Sequence, residues 1–108
     1  MDVVANSKRG LPIRLTDERW GHITEEHPEL TGLQSAVVET IQDPIRILEG
    51  SAGGLFAVRE VEPGKFLVVV YREALHDGFV IIAFLTRRTR WLERRRQLWP
   101  YANLPART

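Results

Sequence analysis

Phe66-Leu67-Val68-Val69-Val70-Tyr71 and, after a short polar break, Phe79-Val80-Ile81-Ile82-Ala83-Phe84-Leu85-Thr86 are two nearly unbroken apolar runs. Both are rich in β-branched and aromatic residues, and both are shorter than a buried helix usually is. They predict central strands, covered on both faces or on one face plus a partner. The flanks agree. Glu62-Pro63-Gly64-Lys65 reads as a turn before the first run, and His76-Asp77-Gly78 as a turn between the two. Further back, Leu55 to Val61 forms another strand behind Gly53-Gly54. Ile45, Ile47 and Leu48 form one more, ended by Gly50. These four segments predict a four-stranded antiparallel meander.

The N-terminal half has a different period. Pro12 to Leu15 reads as a short edge strand. Thr16 is a candidate N-cap followed by Asp17 and Glu18, where the helix dipole favours negative charge. A helix from Asp17 to about Glu26 then places Trp20 and Ile23 on one face, and His27-Pro28 ends it. Thr31 and Gln34 are spaced as a capping box for a second helix carrying Leu33, Val37, Val38 and Ile41, stopped by Asp43-Pro44. The expectation is an α+β domain with two N-terminal helices packed on a four-stranded antiparallel sheet. A basic C-terminal helix or tail follows, helical from Arg90 to Leu98 until Pro100. The 108 residues read as a single domain with its core at about 11–98, and 1–10 and 100–108 as flexible ends.

Composition narrows the chemistry. The chain is 44% hydrophobic and 27% charged, a globular balance. It has no cysteine, which removes disulfides, thiolate zinc sites and a cysteine nucleophile. Lys8 and Arg9 precede no apolar stretch of the kind a signal peptide needs. The longest apolar run, Phe79 to Leu85, is too short to span a bilayer. A soluble, cytoplasmic protein with no membrane contact is the expectation. Charge is unevenly spread. Arg87, Arg88, Arg90, Arg94, Arg95 and Arg96 against the single acid Glu93 give +5 within ten residues, so with a net charge of +1 the rest of the chain carries −4. Such asymmetry points to a polyanion-binding face on a mildly acidic body.

His22 and His27 are the candidate proton-transfer groups. Two imidazoles can cleave RNA without metal, one taking the 2′-hydroxyl proton and one protonating the leaving 5′-oxygen. The plainer alternative has one histidine at a helix C-terminus and the other half-buried beside Trp20. Their spacing is not that of a zincin helix, and His76 is the only other histidine, so no metal site is expected. Arg59, Tyr71 and Thr86 come from three strands. They offer a fork for phosphate oxygens, a ring or hydroxyl for a base or phosphate, and a hydroxyl for a non-bridging oxygen. Taken singly, each also fits an ordinary strand position. Arg87, Arg88, Arg90, Arg94, Arg95 and Arg96 with Trp91, and Trp99 and Tyr101 beyond them, suit unpaired RNA, whose bases stack on aromatic and guanidinium planes. Alternatively, the Trp91, Leu92, Arg95 and Trp99 spacing docks the segment to the sheet, or an acidic protein partner covers it.

Ile13-Arg14-Leu15-Thr16, Trp20-x-His22-Ile23-x3-His27-Pro28-Glu29, Asp43-Pro44 before a strand, and a last strand ending in Thr86 resemble the phage-associated members of the barnase–EndoU–colicin–RelE-like (BECR) nuclease group, over about residues 13–88. The resemblance implies a RelE/barnase-like fold of two N-terminal helices on a four-stranded antiparallel sheet. It also implies a metal-independent, cofactor-free, toxin-like ribonuclease that cleaves single-stranded RNA by 2′-hydroxyl attack, often restrained by an acidic antitoxin or immunity protein. By position it marks His22 and His27 as acid and base, Arg59 as a phosphate contact and Thr86 as a substrate-positioning hydroxyl. Phe84 stands two residues before Thr86, where a second hydroxyl would be sought, and Phe56 is the lone aromatic near Arg59. The second expectation is a non-catalytic module that binds RNA or a partner. A third is an assembly interface on the apolar sheet.

Overall fold

Both apolar runs lie at the centre of the sheet. A computed structural model describes residues 2–100. Of the tail expected at 100–108, all but Pro100 lies outside the described residues, Tyr101 included. In chain order the elements are β1 (Val3–Asn6), β2 (Pro12–Leu15), α1 (Asp17–Glu26), α2 (Gln34–Gln42), β3 (Arg46–Glu49), β4 (Leu55–Glu62), β5 (Lys65–Glu73), β6 (Gly78–Thr86), α3 (Arg90–Glu93) and β7 (Gln97–Trp99). Two 3₁₀ turns, Pro28–Leu30 and Ser51–Gly53, join them. Among the described residues no helix is long and apolar enough to cross a membrane.

The sheet corrects the expected architecture. It has seven strands in the order β1-β2-β6-β5-β4-β3-β7, not four, and two strands precede the helices. It is also mixed, because β2 runs parallel to β6 through Ile13 opposite Gly78 and Arg14 opposite Phe79. The remaining pairings are antiparallel. The physical reason lies at the edges. A meander of β3 to β6 alone would expose the backbone of β6 on one side and of β3 on the other. The β1–β2 hairpin covers the start of β6, burying Ala5, Ile13 and Leu15, and β7 pairs along β3. Gly78 permits the first of these. A Cβ there would collide with the Arg72 carbonyl oxygen and approach Ile13 Cδ1 to 2.7 Å.

Two layers pack on the sheet. Residues paired directly across antiparallel strands share a face. Arg59, Leu67 and Leu85 therefore fall on one side, and Val58, Val68 and Phe84 on the other. The first side holds Ala57, Leu67, Val69 and Tyr71 against Ile23 of α1, Leu30, and Val37 and Ile41 of α2. The second holds Leu48, Phe56, Val58 and Val68 against Leu92 of α3, with Phe66, Val70, Phe84 and Trp91 at its margin.

The helix boundaries follow local chemistry. The Thr16 hydroxyl accepts from the Arg19 N–H at 3.0 Å and starts α1, and His27 ends it. The capping box expected at Thr31 and Gln34 is not formed. Pro28 seeds a 3₁₀ turn that the Thr31 N–H closes on the Pro28 carbonyl, so Leu33 takes the N-cap position of α2 without a side-chain cap. The expected helical tail is likewise one turn long. Beyond Arg94 the backbone turns to the open edge of β3, where Ile47 pairs with Trp99 and Leu48 with Gln97. A strand satisfies backbone groups on both segments there, which continued helix would leave open.

Candidate nucleic-acid interface

The second sheet face is covered by a single short turn, and that arrangement makes the site. Leu92 is fully buried over β4 and β5 and anchors the basic segment. Trp91 beside it packs with its ring 6.0 Å from Phe56 in an edge-on contact and 5.9 Å from Phe84 in a stacked one. Phe84 in turn lies 6.2 Å from the His27 imidazole. At the other end the Arg95 guanidinium sits 4.7 Å over the Phe56 ring. His27, Phe84, Trp91, Phe56 and Arg95 thus form one continuous row of flat side chains. Four of the five are partly exposed, Phe56 being buried. Gly50 permits its tight end, since a Cβ there would come within 2.7 Å of the Phe56 ring.

Beside Arg95 the row opens into a recess of about 530 Å³ lined by Glu49, Gly50, Trp91, Arg94, Arg95 and Arg96. Arg95 Nη1 donates to the Glu49 carbonyl at 3.2 Å, which fixes its fork over Phe56. Arg87 is drawn back to the β4–β5 turn, 3.8 Å from the Glu62 carboxylate. Arg88, Arg90, Arg94 and Arg96 are exposed and make no ion pair among the described residues. Two of these uncommitted guanidiniums, Arg94 and Arg96, line the recess, where Glu49 is the one acid of the lining.

The five candidate catalytic residues, His22, His27, Arg59, Tyr71 and Thr86, are not brought together at one place. Five residues of helix turn through about 500°, which separates His22 from His27. The exposed His22 imidazole faces Glu25 of its own helix at 4.0 Å. His27 Nδ1 lies 3.5 Å from the Glu29 carboxylate. Arg59 is on the helix-bearing side of the sheet. Its Nη1 donates to the Asp43 carbonyl at 2.7 Å, and its guanidinium faces the Asp43 and Glu39 carboxylates at 3.4 and 3.5 Å. Its donors are thus committed to the C-terminus of α2. Tyr71 is 1% exposed on that same side. Thr86 shares the face of Phe84, but its Oγ accepts from the Arg88 N–H at 3.0 Å and its hydroxyl donates to the Arg88 carbonyl at 3.2 Å, closing the turn after β6.

Phe84 and Phe56 complete the row, and in the sequence alone nothing marks either as more than a strand residue. Period-two alternation places Phe84 opposite Val68 and Phe56 opposite Val70, all on the face opposite Arg59, so the signal for their shared face is present. Alternation does not reveal that Trp91 folds back onto that face. Comparison of the chain with protein-family models, curated proteins and solved structures gives no match.

Proposed function

We propose that the protein holds single-stranded RNA on the aromatic row, as a binding module. The observation that carries this reading is the unbroken sequence His27, Phe84, Trp91, Phe56, Arg95 beside a recess rimmed by arginines. Unpaired bases stack on partly exposed aromatic faces, at about 1–3 kcal/mol per base, while arginines neutralise the backbone. With Arg88, Arg90, Arg94 and Arg96 as the uncommitted cations, log K should fall against log salt with a slope of about −3, the single-strand value for four phosphates. Holding is favoured over cutting because Arg59 and Tyr71 stand on the other side of the sheet from His27's neighbour Phe84.

The test is fluorescence anisotropy with a labelled mixed-sequence 12-mer RNA and its duplex. The native chain should prefer the single strand. Trp91→Ala and Arg95→Ala should each weaken it about tenfold, the effect of losing one stacked base. Equal affinity for duplex, or indifference to both changes, would remove the reading. The same samples are run with chelator for RNA breakdown. Cleavage that disappears in His27→Ala would replace the binding module with a metal-independent ribonuclease.

A further inference from the structure

On the helix-bearing side of the sheet, a cavity of about 260 Å³ lies between the β1–β2 loop and strands β3, β4, β5 and β7. Its wall is divided by chemistry. Ile47, Leu55, Leu98 and the Trp99 ring make an apolar half, and Lys8, Arg9, Tyr71 and Glu73 a polar one. The loop is tied down over it by the Ser7 hydroxyl, which donates to Glu73 Oε2 at 2.7 Å.

Counting donors and acceptors indicates what the polar half lacks. The Tyr71 side chain is buried, and its hydroxyl makes no hydrogen bond among the described residues. Burial, reinforced by the Glu73 charge and opposed by Arg9, raises its pKa well above the ordinary 10.0, so at neutral pH it is a protonated donor. The Lys8 ammonium lies 4.7 Å over the Trp99 ring and 3.9 Å from the exposed Asp43 carboxylate, and it makes no hydrogen bond among the described residues. Arg9 spends one long contact, 3.4 Å, on Glu73. Glu73, whose side chain is 7% exposed, is the one carboxylate in the wall and already accepts from Ser7 and Arg9. The unmet capacity is therefore mostly donor, and within the wall two cations oppose one anion, the Asp43 carboxylate facing Lys8 from outside it. An acceptor with negative charge satisfies it, and the apolar half calls for a flat hydrophobic body. A dry cavity of about 150 Å³ takes a benzene ring, so this one has room for a ring and a carboxylate.

We infer that this cavity binds a small organic carboxylate with a single-ring apolar body, its carboxylate toward Lys8 and Tyr71 and its ring against Trp99 and Leu55. The site lies on the opposite side of the sheet from the aromatic row and stands or falls apart from RNA binding. The probe is sodium benzoate titrated into the full chain, read by the Trp99 indole N–H resonance in ¹H–¹⁵N spectra, with benzamide as the neutral isostere. Benzoate should shift that resonance saturably at about millimolar concentration or below, as its size of about nine heavy atoms allows. Benzamide should bind about tenfold more weakly, and Tyr71→Phe and Lys8→Met should each weaken benzoate about fivefold or more. Lys8→Met keeps the comparison available should Tyr71→Phe fold poorly. No saturable shift, or benzamide binding as well as benzoate with Lys8→Met indifferent, would overturn the assignment.

Discussion

Arg59→Ala separates a structural arginine from a phosphate-binding one. Three contacts hold the guanidinium to the end of α2: the Asp43 carbonyl at 2.7 Å, the Asp43 carboxylate at 3.4 Å and the Glu39 carboxylate at 3.5 Å. The two carboxylate side chains are 71% and 60% exposed, so those ion pairs are screened and contribute at the low end of about 0.2–1 kcal/mol each. The carbonyl bond counts for more. It joins a charged donor to an acceptor at a helix C-terminus, where the dipole favours positive charge, and is worth about 1 kcal/mol net. The loss on substitution is then about 1–2 kcal/mol, or about 4–8 °C in melting temperature for a domain of this size. Urea unfolding followed by tryptophan fluorescence measures the loss, and RNA anisotropy on the same preparation should change by less than about twofold. An unchanged urea midpoint accompanied by collapse of RNA binding or of RNA cleavage would refute the reasoning, because Arg59 would then be acting on substrate.

Tyr71 supplies a pH prediction with a definite sign. Its folded pKa is raised above the unfolded value near 10.0, so the stability it lends is present in full below pH 10 and is lost as pH rises through the folded value. In a Tyr101→Phe background, absorbance at 295 nm should show no phenolate near pH 10 in the folded protein, and Tyr71→Phe should flatten the alkaline fall in stability. Ordinary titration in the folded state would show that the ring is not buried as described. Gly78→Ala places a methyl group against the Arg72 carbonyl and 2.7 Å from Ile13 Cδ1. Prising β6 from the Arg72 carbonyl of β5, and from Ile13 of β2 behind it, should cost about 3 kcal/mol or more in urea unfolding, and a cost under about 1 kcal/mol would mean that the three strands are less closely packed at Gly78.

What the chain announces about itself depends on length. The long runs at Phe66–Tyr71 and Phe79–Thr86 are central strands in the structure, and the turn at Pro63-Gly64 and the helix stops at His27-Pro28 and Asp43-Pro44 sit where local chemistry puts them, while the turn expected around His76-Asp77-Gly78 ends at Asp77 and Gly78 already belongs to β6. The strands that change the architecture are three or four residues long. Val3–Asn6 and Gln97–Trp99 carry too little periodicity to be separated from loop, and their pairing is non-local, β7 reaching back to β3. The site was legible in the same partial way. The arginine cluster and Trp91 are visible as composition, whereas their neighbours are decided by which face each strand residue takes. Arg59 shows the consequence. One residue from Val58, it falls on the opposite side from Phe84 and Trp91 and meets Asp43, which no local pattern couples to it.

The preference for unpaired RNA that we propose rests on how unequally the two sheet faces are covered. Two helices close one side, while the other has Leu92 and one helical turn, leaving Phe79 46% and Val4 53% exposed toward its far end. Arginines alone would attract duplex at least as well as single strand, since a duplex has the denser phosphate array. The charge of −4 on the rest of the chain opposes any rigid polyanion that must lie across more than the basic segment. A duplex also keeps its bases stacked on one another and gains nothing from Phe84 or Trp91. A single strand can bend its phosphates to Arg94 and Arg96 and turn a base onto the partly exposed rings beside them. At about 1–3 kcal/mol for that base, discrimination of about 5- to 150-fold rests on the rings rather than on the charge. Trp91→Ala should therefore erase the preference for single strands while leaving the salt dependence nearly intact. Substituting Arg94 and Arg96 should flatten the salt dependence and spare the preference.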